Sequence, residues 1–252
     1  MKTLGKLASA LVLSFITSAS FAGPLTVFNG WTTLAADDGV GNGGWVNPGY
    51  GGQKFDAEYL FYKIQGNQLS IGLQTGFDII NQNGQSFGGS QYYNGDLALS
   101  FDGNTSNYEY AIDFGNLTKG YTSNQTISSQ GTNVGTGVDT AGLYSVTSWN
   151  NDIYYGQSAP YAMSGGSLLV AANSSNFQEG SAMSDLNLSF YNIFSFDLSS
   201  ISSLGQNYSL DAHWTMSCGN DALDGRANVL EPGSIALLLV GFFGLFMARR
   251  KI

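Results

Sequence analysis

The chain has 252 residues, is rich in glycine (34) and aromatic residues (13%), and has only 11% charged residues with a formal net charge of −9. That length suits one sizeable domain, with two a less economical reading. Such an acidic balance repels phosphate backbones and argues against a nucleic-acid partner, and a single cysteine, Cys218, rules out an internal disulfide.

Residues 1–22 have the three parts of a secretory leader. Lys2 and Lys6 form a charged start, residues 7–16 an apolar stretch, and Ser20-Phe21-Ala22 puts small residues at the −3 and −1 positions of a cleavage site. A bilayer needs roughly 20 apolar residues to be spanned, so the expectation is cleavage after Ala22, ahead of Gly23-Pro24, rather than an anchor. Residues 23–228 read as one domain. Outside the two chain ends only Lys54, Lys63, Lys119 and Arg226 are basic, against seventeen acidic residues, which leaves this region near −13.

Abundant Gly, Asn, Ser and Thr argue against long helices and for many short strands. Residues 25–28 predict a weak strand, and residues 37–52 a Gly-rich irregular stretch with Trp45 and Tyr50. Residues 55–64 carry apolar side chains on both faces and read as a central strand covered on both sides. Gln65-Gly66-Asn67 then links it to a strand with Leu69, Ile71 and Leu73 on one face. Leu97, Leu99 and Phe101 form a second alternating set, Tyr108, Tyr110, Ile112 and Phe114 a third, and Leu186, Leu188 and Phe190 a fourth; each set predicts one buried and one wet face. Asp102-Gly103-Asn104 is a turn between two of these strands. Residues 119–166 read as largely irregular, with weaker strands over 142–149 and 167–173. From Tyr208 to Cys218 the alternation is unbroken through Leu210, Ala212, Trp214 and Met216, which predicts a buried, inert thiol. About nine strands predict an all-β fold, a β-sandwich of jelly-roll type, with a barrel as the alternative.

Candidate chemistry is thin. His213, the sole histidine, falls on the polar face between Asp211 and Thr215, where a hydrogen-bonded structural role is expected. Gly84-Gln85-Ser86-Phe87-Gly88 matches the nucleophile-elbow pattern, but no helix signal follows, as an elbow requires. Asp56 and Glu58 lie two apart on one strand face, a spacing open to a glycosidase-type carboxylate pair, yet that face continues as Leu60, Tyr62 and Ile64. One histidine and one buried cysteine do not furnish a zinc site. Asp37, Asp38, Asp96, Asp102 and Asp221 sit beside glycines and suit turn hydrogen bonds. Calcium is the alternative, although no loop spells a complete site and no cofactor is expected. Trp31, Trp45, Trp149, Tyr92, Tyr93, Tyr154 and Tyr155 fall in loops, as local packing or as rings for stacking on sugars. No enzyme is predicted.

At the other end, Val229-Leu230-Glu231-Pro232-Gly233 leads into a fifteen-residue apolar stretch, 234–248, closed by Arg249, Arg250, Lys251 and Ile252. As a helix this stretch reaches ~22 Å against a ~30 Å hydrocarbon core, which snorkelling arginines can make up. The basic cluster belongs on the cytoplasmic side, leaving the preceding domain outside. This tripartite tail resembles the PEP-CTERM sorting signal. Glu231 and Pro232 match the second and third positions of its Pro-Glu-Pro motif, and Leu230 replaces the first proline. Phe55-Asp56-Ala57-Glu58, Gly95-Asp96-Leu97 and the run from His213 to Asp221 also resemble a set of PEP-CTERM ectodomains. The resemblance implies an exosortase as processing partner, export through the inner membrane of a Gram-negative bacterium, and transient anchoring by the helix 234–248. It further implies a final place at the cell surface or in an exopolysaccharide matrix. The expected function is that of a non-catalytic surface or biofilm-matrix protein; a carbohydrate-binding module and, further off, a glycan hydrolase are the alternatives.

Overall fold

Period-two alternation puts 55% of the described residues into strands, because a strand sends successive side chains to opposite faces and so separates apolar from polar ones. A computed structural model describes residues 22–37, 51–118, 140–184, 187–202, 204 and 207–230. Its strands are β1 (Thr32–Ala36), β2 (Ala57–Gln65), β3 (Gln68–Thr75), β4 (Gln85–Phe87), β5 (Ser90–Tyr92), β6 (Leu97–Ser100), β7 (Tyr110–Asp113), β8 (Gly142–Asn150), β9 (Ala162–Ala171), β10 (Phe177–Ser184), β11 (Asn187–Asp197), β12 (Asn207–Thr215) and β13 (Ala222–Leu230). No helix of seven or more residues occurs among the described residues, so the expected all-β class holds.

Two antiparallel sheets pack against each other as a sandwich-like fold. The first runs β1-β2-β3-β11-β10 and the second β13-β12-β6-β7-β8-β9, with β4-β5 a separate hairpin. Gln65 pairs with Gln68, so Gly66 and Asn67 close a two-residue turn, and Gly66 takes the positive φ (61°) that such a turn demands. Leu60, Leu69, Ile71, Leu73, Phe194 and Phe196 from the first sheet meet Leu97, Leu99, Ile112, Leu143, Leu210 and Trp214 from the second in one buried core. Strand β2 is covered on both sides, as its sequence predicts. Leu60 faces that core, while Phe61 stacks on Phe28 at 4.3 Å in a second cluster with Leu25 and Ile193.

The outer cluster overturns the expectation for residues 25–28. They form no strand; Thr26–Phe28 is a 3-10 turn. A turn of three residues sets Leu25 and Phe28 on one side, and both plug the outer face of the first sheet. A Cβ at Gly72 would lie 2.2 Å from the Phe28 ring, so only glycine lets the plug seat. Three further expectations fail in part. The sequence predicts an irregular region over 119–166 broken only by a weak strand at 142–149; β8 matches that strand, but β9 starts at Ala162 rather than at 167, and residues 119–139 lie outside the described set. In β11 the burial is inverted at its start. Leu188 is 47% exposed and Ser189 fully buried, because the plugged outer face needs the serine hydroxyl while Leu188 overhangs the end of the core. Tyr108 leaves the Tyr110–Ile112 face and packs its ring on His213 instead.

Cys218 is buried, but from the turn after β12 rather than from the strand itself. Burial pushes its thiol up to about 12, and its Sγ bonds to Asn220 Oδ1. Native protein is therefore expected to resist a thiol reagent at neutral pH and to react stoichiometrically once denatured; rapid native labelling would show that this turn opens. The leader residues 1–21, Asp38, Trp45, and the tail with Glu231, Pro232, the span 234–248, Arg249, Arg250 and Lys251 lie outside the described residues. No helix among the described residues is long and apolar enough to cross a membrane.

Candidate functional site

Strands β12 and β13 turn one face into the core and the other outward. On the outward face His213 lies directly opposite Asp224, and Asp211 opposite Arg226. These four cross-strand neighbours form two pairs. His213 Nδ1 is 2.8 Å from Asp224 Oδ1, and Arg226 Nε donates to Asp211. Arg226 Nη2 also donates to Gly103 O at 2.9 Å, and Ser209 Oγ donates to the second oxygen of Asp211. Around them the turn after β6 brings Thr105 and Tyr108, and the loop before β9 brings Gln157 and Ala159, to line a cleft of about 490 Å³. That volume is within the usual range for small-molecule sites.

The two pairs are half inside and half outside. Asp211 is 1% exposed and the Arg226 side chain 54%; His213 is 4% exposed in its side chain and Asp224 65%. The inner member of each pair fixes the outer one, so the Asp224 carboxylate and the Arg226 guanidinium are held in place while offering hydrogen-bonding edges to the cleft. Gln157 and Thr105 are exposed beside them. The Tyr108 hydroxyl is pushed well above its usual value by burial, with Asp224 and Asp211 adding to the effect, so it stays a neutral donor.

His213 is not placed to act as a base. Its Nε2 lies 3.0 Å from Ser158 O, so both ring nitrogens face acceptors and neither offers a lone pair to the cleft. Ser158 Oγ donates to Gly219 O. Ser86 sits in the β4–β5 hairpin, its hydroxyl bonded to Gln91. The expected structural histidine is thus what the fold contains, tying β12 to the loop before β9.

The carboxylates Asp56 and Glu58, a strand-face pair by simple alternation, are separated by a register shift between Ala57 and Tyr59. The shift turns Glu58 away from the Leu60 face, a correction that pure period-two counting misses. Glu58 is bonded instead by Gln74 Nε2 (2.7 Å), Ser189 Oγ (2.8 Å) and Gln53 Nε2 (2.6 Å) beneath the N-terminal plug. Asp56 joins Asp37 and Asp221. Burial, then the charges of Glu58 and Asp37, push Asp56 up to about 7. Burial, opposed by the bond from Ala57 N and reinforced by Asp37 and Asp56, pushes Asp221 up to about 8. Asp221 Oδ2 accepts from Ala57 N at 2.8 Å, tying the β12–β13 hairpin to the start of β2. Asp102 accepts from Asn104 N and Ser100 Oγ, as expected of a turn aspartate, whereas Asp96 accepts from Met163 N on β9, a long-range bond rather than a turn bond. Among the described residues no three His, Cys, Asp or Glu side chains converge as a metal site. Trp31 packs on Phe28, Tyr92 on Phe55, and Trp149 donates to Tyr108 O, while Tyr154 is 57% exposed.

Sequence reasoning misses Asp224 and Arg226 because it places no strand over residues 222–230. The signal is present: Leu223, Gly225, Ala227 and Val229 alternate with Asp224, Arg226 and Asn228. The fold and cleft together define a two-sheet antiparallel domain with a polar, partly open recess on its second sheet. Comparison with protein families, curated proteins and solved structures gives no match.

Proposed function

We propose that this chain is an exported, non-catalytic protein of a Gram-negative cell surface, sorted by a PEP-CTERM-type tail and associated with exopolysaccharide through its sandwich domain. Support for the binding half comes from one observation. The only histidine of the chain and the only arginine outside its tail meet in one cleft, in a domain otherwise almost bare of basic residues. A fixed carboxylate and a fixed guanidinium two residues apart on β13 stand roughly 7 Å apart along the strand, about the width of a sugar ring. Such a pair accepts from and donates to neighbouring hydroxyls of a neutral hexose. Two aspartates against one arginine disfavour an acidic sugar. A carbohydrate-binding module is the same reading stated without the tail. A hydrolase is disfavoured, because His213 is fully bonded and Glu58 is buried among amide and hydroxyl donors.

The tail supports the sorting half. Pairing in β13 continues to Leu230, opposite Asn207, so a cut before residue 231 would remove ladder backbone from an edge strand. The reading therefore favours a mature end at residues 231–233, and exosortase as the partner that makes it. We also read the sandwich as jelly-roll-like, since each sheet draws strands from both halves of the chain: β11 beside β3 and β12 beside β6.

Pull-down of residues 23–230 on neutral exopolysaccharide tests the binding half. Arg226→Lys keeps the charge over buried Asp211 but loses the planar fork, and is expected to weaken retention about tenfold, the loss of roughly one good hydrogen bond. Gln157→Ala is expected to weaken it less. Equal retention of all three proteins would sink the cleft reading. C-terminal mass spectrometry of surface material tests the sorting half, and a chain still ending at Ile252 in an exosortase-bearing host would sink that.

A further inference from the structure

The buried Glu58 carboxylate is linked through Gln74 to Gly23, the residue that a cut after Ala22 would make the first of the chain. Glu58 is 2% exposed. It is bonded by two amides and one hydroxyl, all neutral, and the ion pairs among the described residues, His213–Asp224 and Arg226–Asp211, do not include it. Burial raises its pKa, those bonds opposing. A buried carboxylate with no cation among the described residues is an expensive arrangement, and its charge also helps to raise the pKa of Asp56.

Gln74 connects this carboxylate to the chain start. Its Oε1 accepts from Leu25 N at 2.8 Å, and its Nε2 donates both to Gly23 O at 2.9 Å and to Glu58 Oε2 at 2.7 Å. Ser184 Oγ donates to the same Gly23 carbonyl. Gly23 is thus held by its carbonyl within two hydrogen bonds of Glu58, and its own nitrogen stands one residue's backbone from that carbonyl. Leu25 and Phe28 lock the following residues into the outer cluster. Gly23 has no side chain to keep its nitrogen from a close approach. A free α-amine is protonated at neutral pH, with a pKa near 8, and carries three donors.

We propose that the α-ammonium of Gly23, created when the leader is cut after Ala22, is captured as the counter-ion of Glu58, so that processing completes the fold of the mature domain. This rests on reading residues 1–22 as a leader. In the uncut chain Gly23 carries a neutral peptide nitrogen instead, and Ala22 ahead of it is buried. The mature chain exchanges that nitrogen for a cation next to the buried carboxylate. Any extra residue ahead of Gly23 moves the charge outward by about 3.5 Å.

The test is a thermal-unfolding cycle on chains ending at residue 233. One begins at Gly23, one at Ala22, and one at an N-acetylated Gly23, each with Glu58 and with Glu58→Gln. The Gly23 chain is expected to melt a few degrees above the other two, and the differences are expected to vanish with Glu58→Gln. Equal melting of the three Glu58 chains, or the same differences in both backgrounds, would overturn the proposal. A second measurement does not depend on how well Glu58→Gln folds: acetylation of the native Gly23 chain is expected to modify exposed Lys54 much faster than the α-amine, and to lose that preference in denaturant. Equal native rates would also overturn it. N-terminal sequencing of the exported protein separates the two ideas, because a start other than Gly23 removes cleavage after Ala22 whatever the cycle shows, and an uncut chain removes the leader reading itself.

Discussion

Replacing Trp214 by alanine is expected to lower the unfolding free energy by roughly 3–5 kcal/mol, the cost of emptying a large aromatic site in a packed core. Trp214 is fully buried between the two sheets, and its Nε1 donates to Gly95 O at 3.1 Å. Truncation therefore also leaves a buried carbonyl without its donor. The site has little room to relax around Gly95, where a Cβ would meet the carbonyl oxygens of Thr215 and Tyr161 at 2.3 and 2.4 Å. Trp214→Phe keeps most of the volume and is expected to cost about half as much. Urea unfolding measures both, and a loss under about 1 kcal/mol for Trp214→Ala would contradict the core assignment. The substitution also separates stability from binding. Asp211 and His213 leave the other face of the same strand, so Trp214→Ala is expected to spare glycan retention well below its melting point. Arg226→Lys is expected to do the reverse.

Stability is expected to fall by a few kcal/mol as pH rises from about 5 to about 8, because of Asp56 and Asp221. Both have folded-state pKa values raised above the ordinary 3.8, to about 7 and about 8. The folded protein then holds protons that the unfolded chain has released, and stability decreases with pH across that window and levels off above it. A carboxyl that binds its proton tenfold more tightly in the folded state than in the unfolded chain contributes about 1.4 kcal/mol; Asp56 helps to raise Asp221, so their shares do not simply add. Asp102 and Asp197 act elsewhere. Their pKa values are lowered, chiefly by the bond from Asn104 N in one and the bonds from Ser199 in the other, so any contribution they make is lost only below about pH 4. Asp56→Asn is expected to flatten the slope between pH 5 and 8 and to raise the melting temperature at pH 8. Asp221→Asn is a poorer probe, since it gives up one of the two backbone bonds that Asp221 accepts from Ala57 and Ala222. Melting temperatures that rise from pH 5 to pH 8 in the unaltered protein would contradict the buried placement of this trio.

Strand faces are legible in the sequence wherever one face alone is apolar. Leu69–Ile71–Leu73, Leu97–Leu99 and Leu210–Ala212–Trp214 all enter the core as their alternation predicts, because the side-chain period of a strand converts directly into a burial period. Legibility fails where something other than the opposite sheet covers a face. Ser189 is buried and Leu188 exposed because the N-terminal plug covers the outer side of the first sheet, and nothing near residue 188 announces a cover supplied by residues 22–28. Glu58 escapes for a different reason. A one-residue register shift reverses every face before it, and a bulge leaves no mark in hydrophobic periodicity.

By itself the sequence determined the all-β class, the buried face of β12 with its tryptophan, the burial of Cys218 and a hydrogen-bonded His213. It also carries the local strings of charge, apolarity and proline on which the proposed leader and sorting tail rest, and these need no fold to be read. Only the tertiary structure decided which polar residues meet. His213 and Asp224 are eleven positions apart, Asp211 and Arg226 fifteen, Asp56 and Asp221 far more. Strand pairing and sheet packing bring each set together, and both are long-range consequences of burying the apolar faces that the sequence spells out one strand at a time.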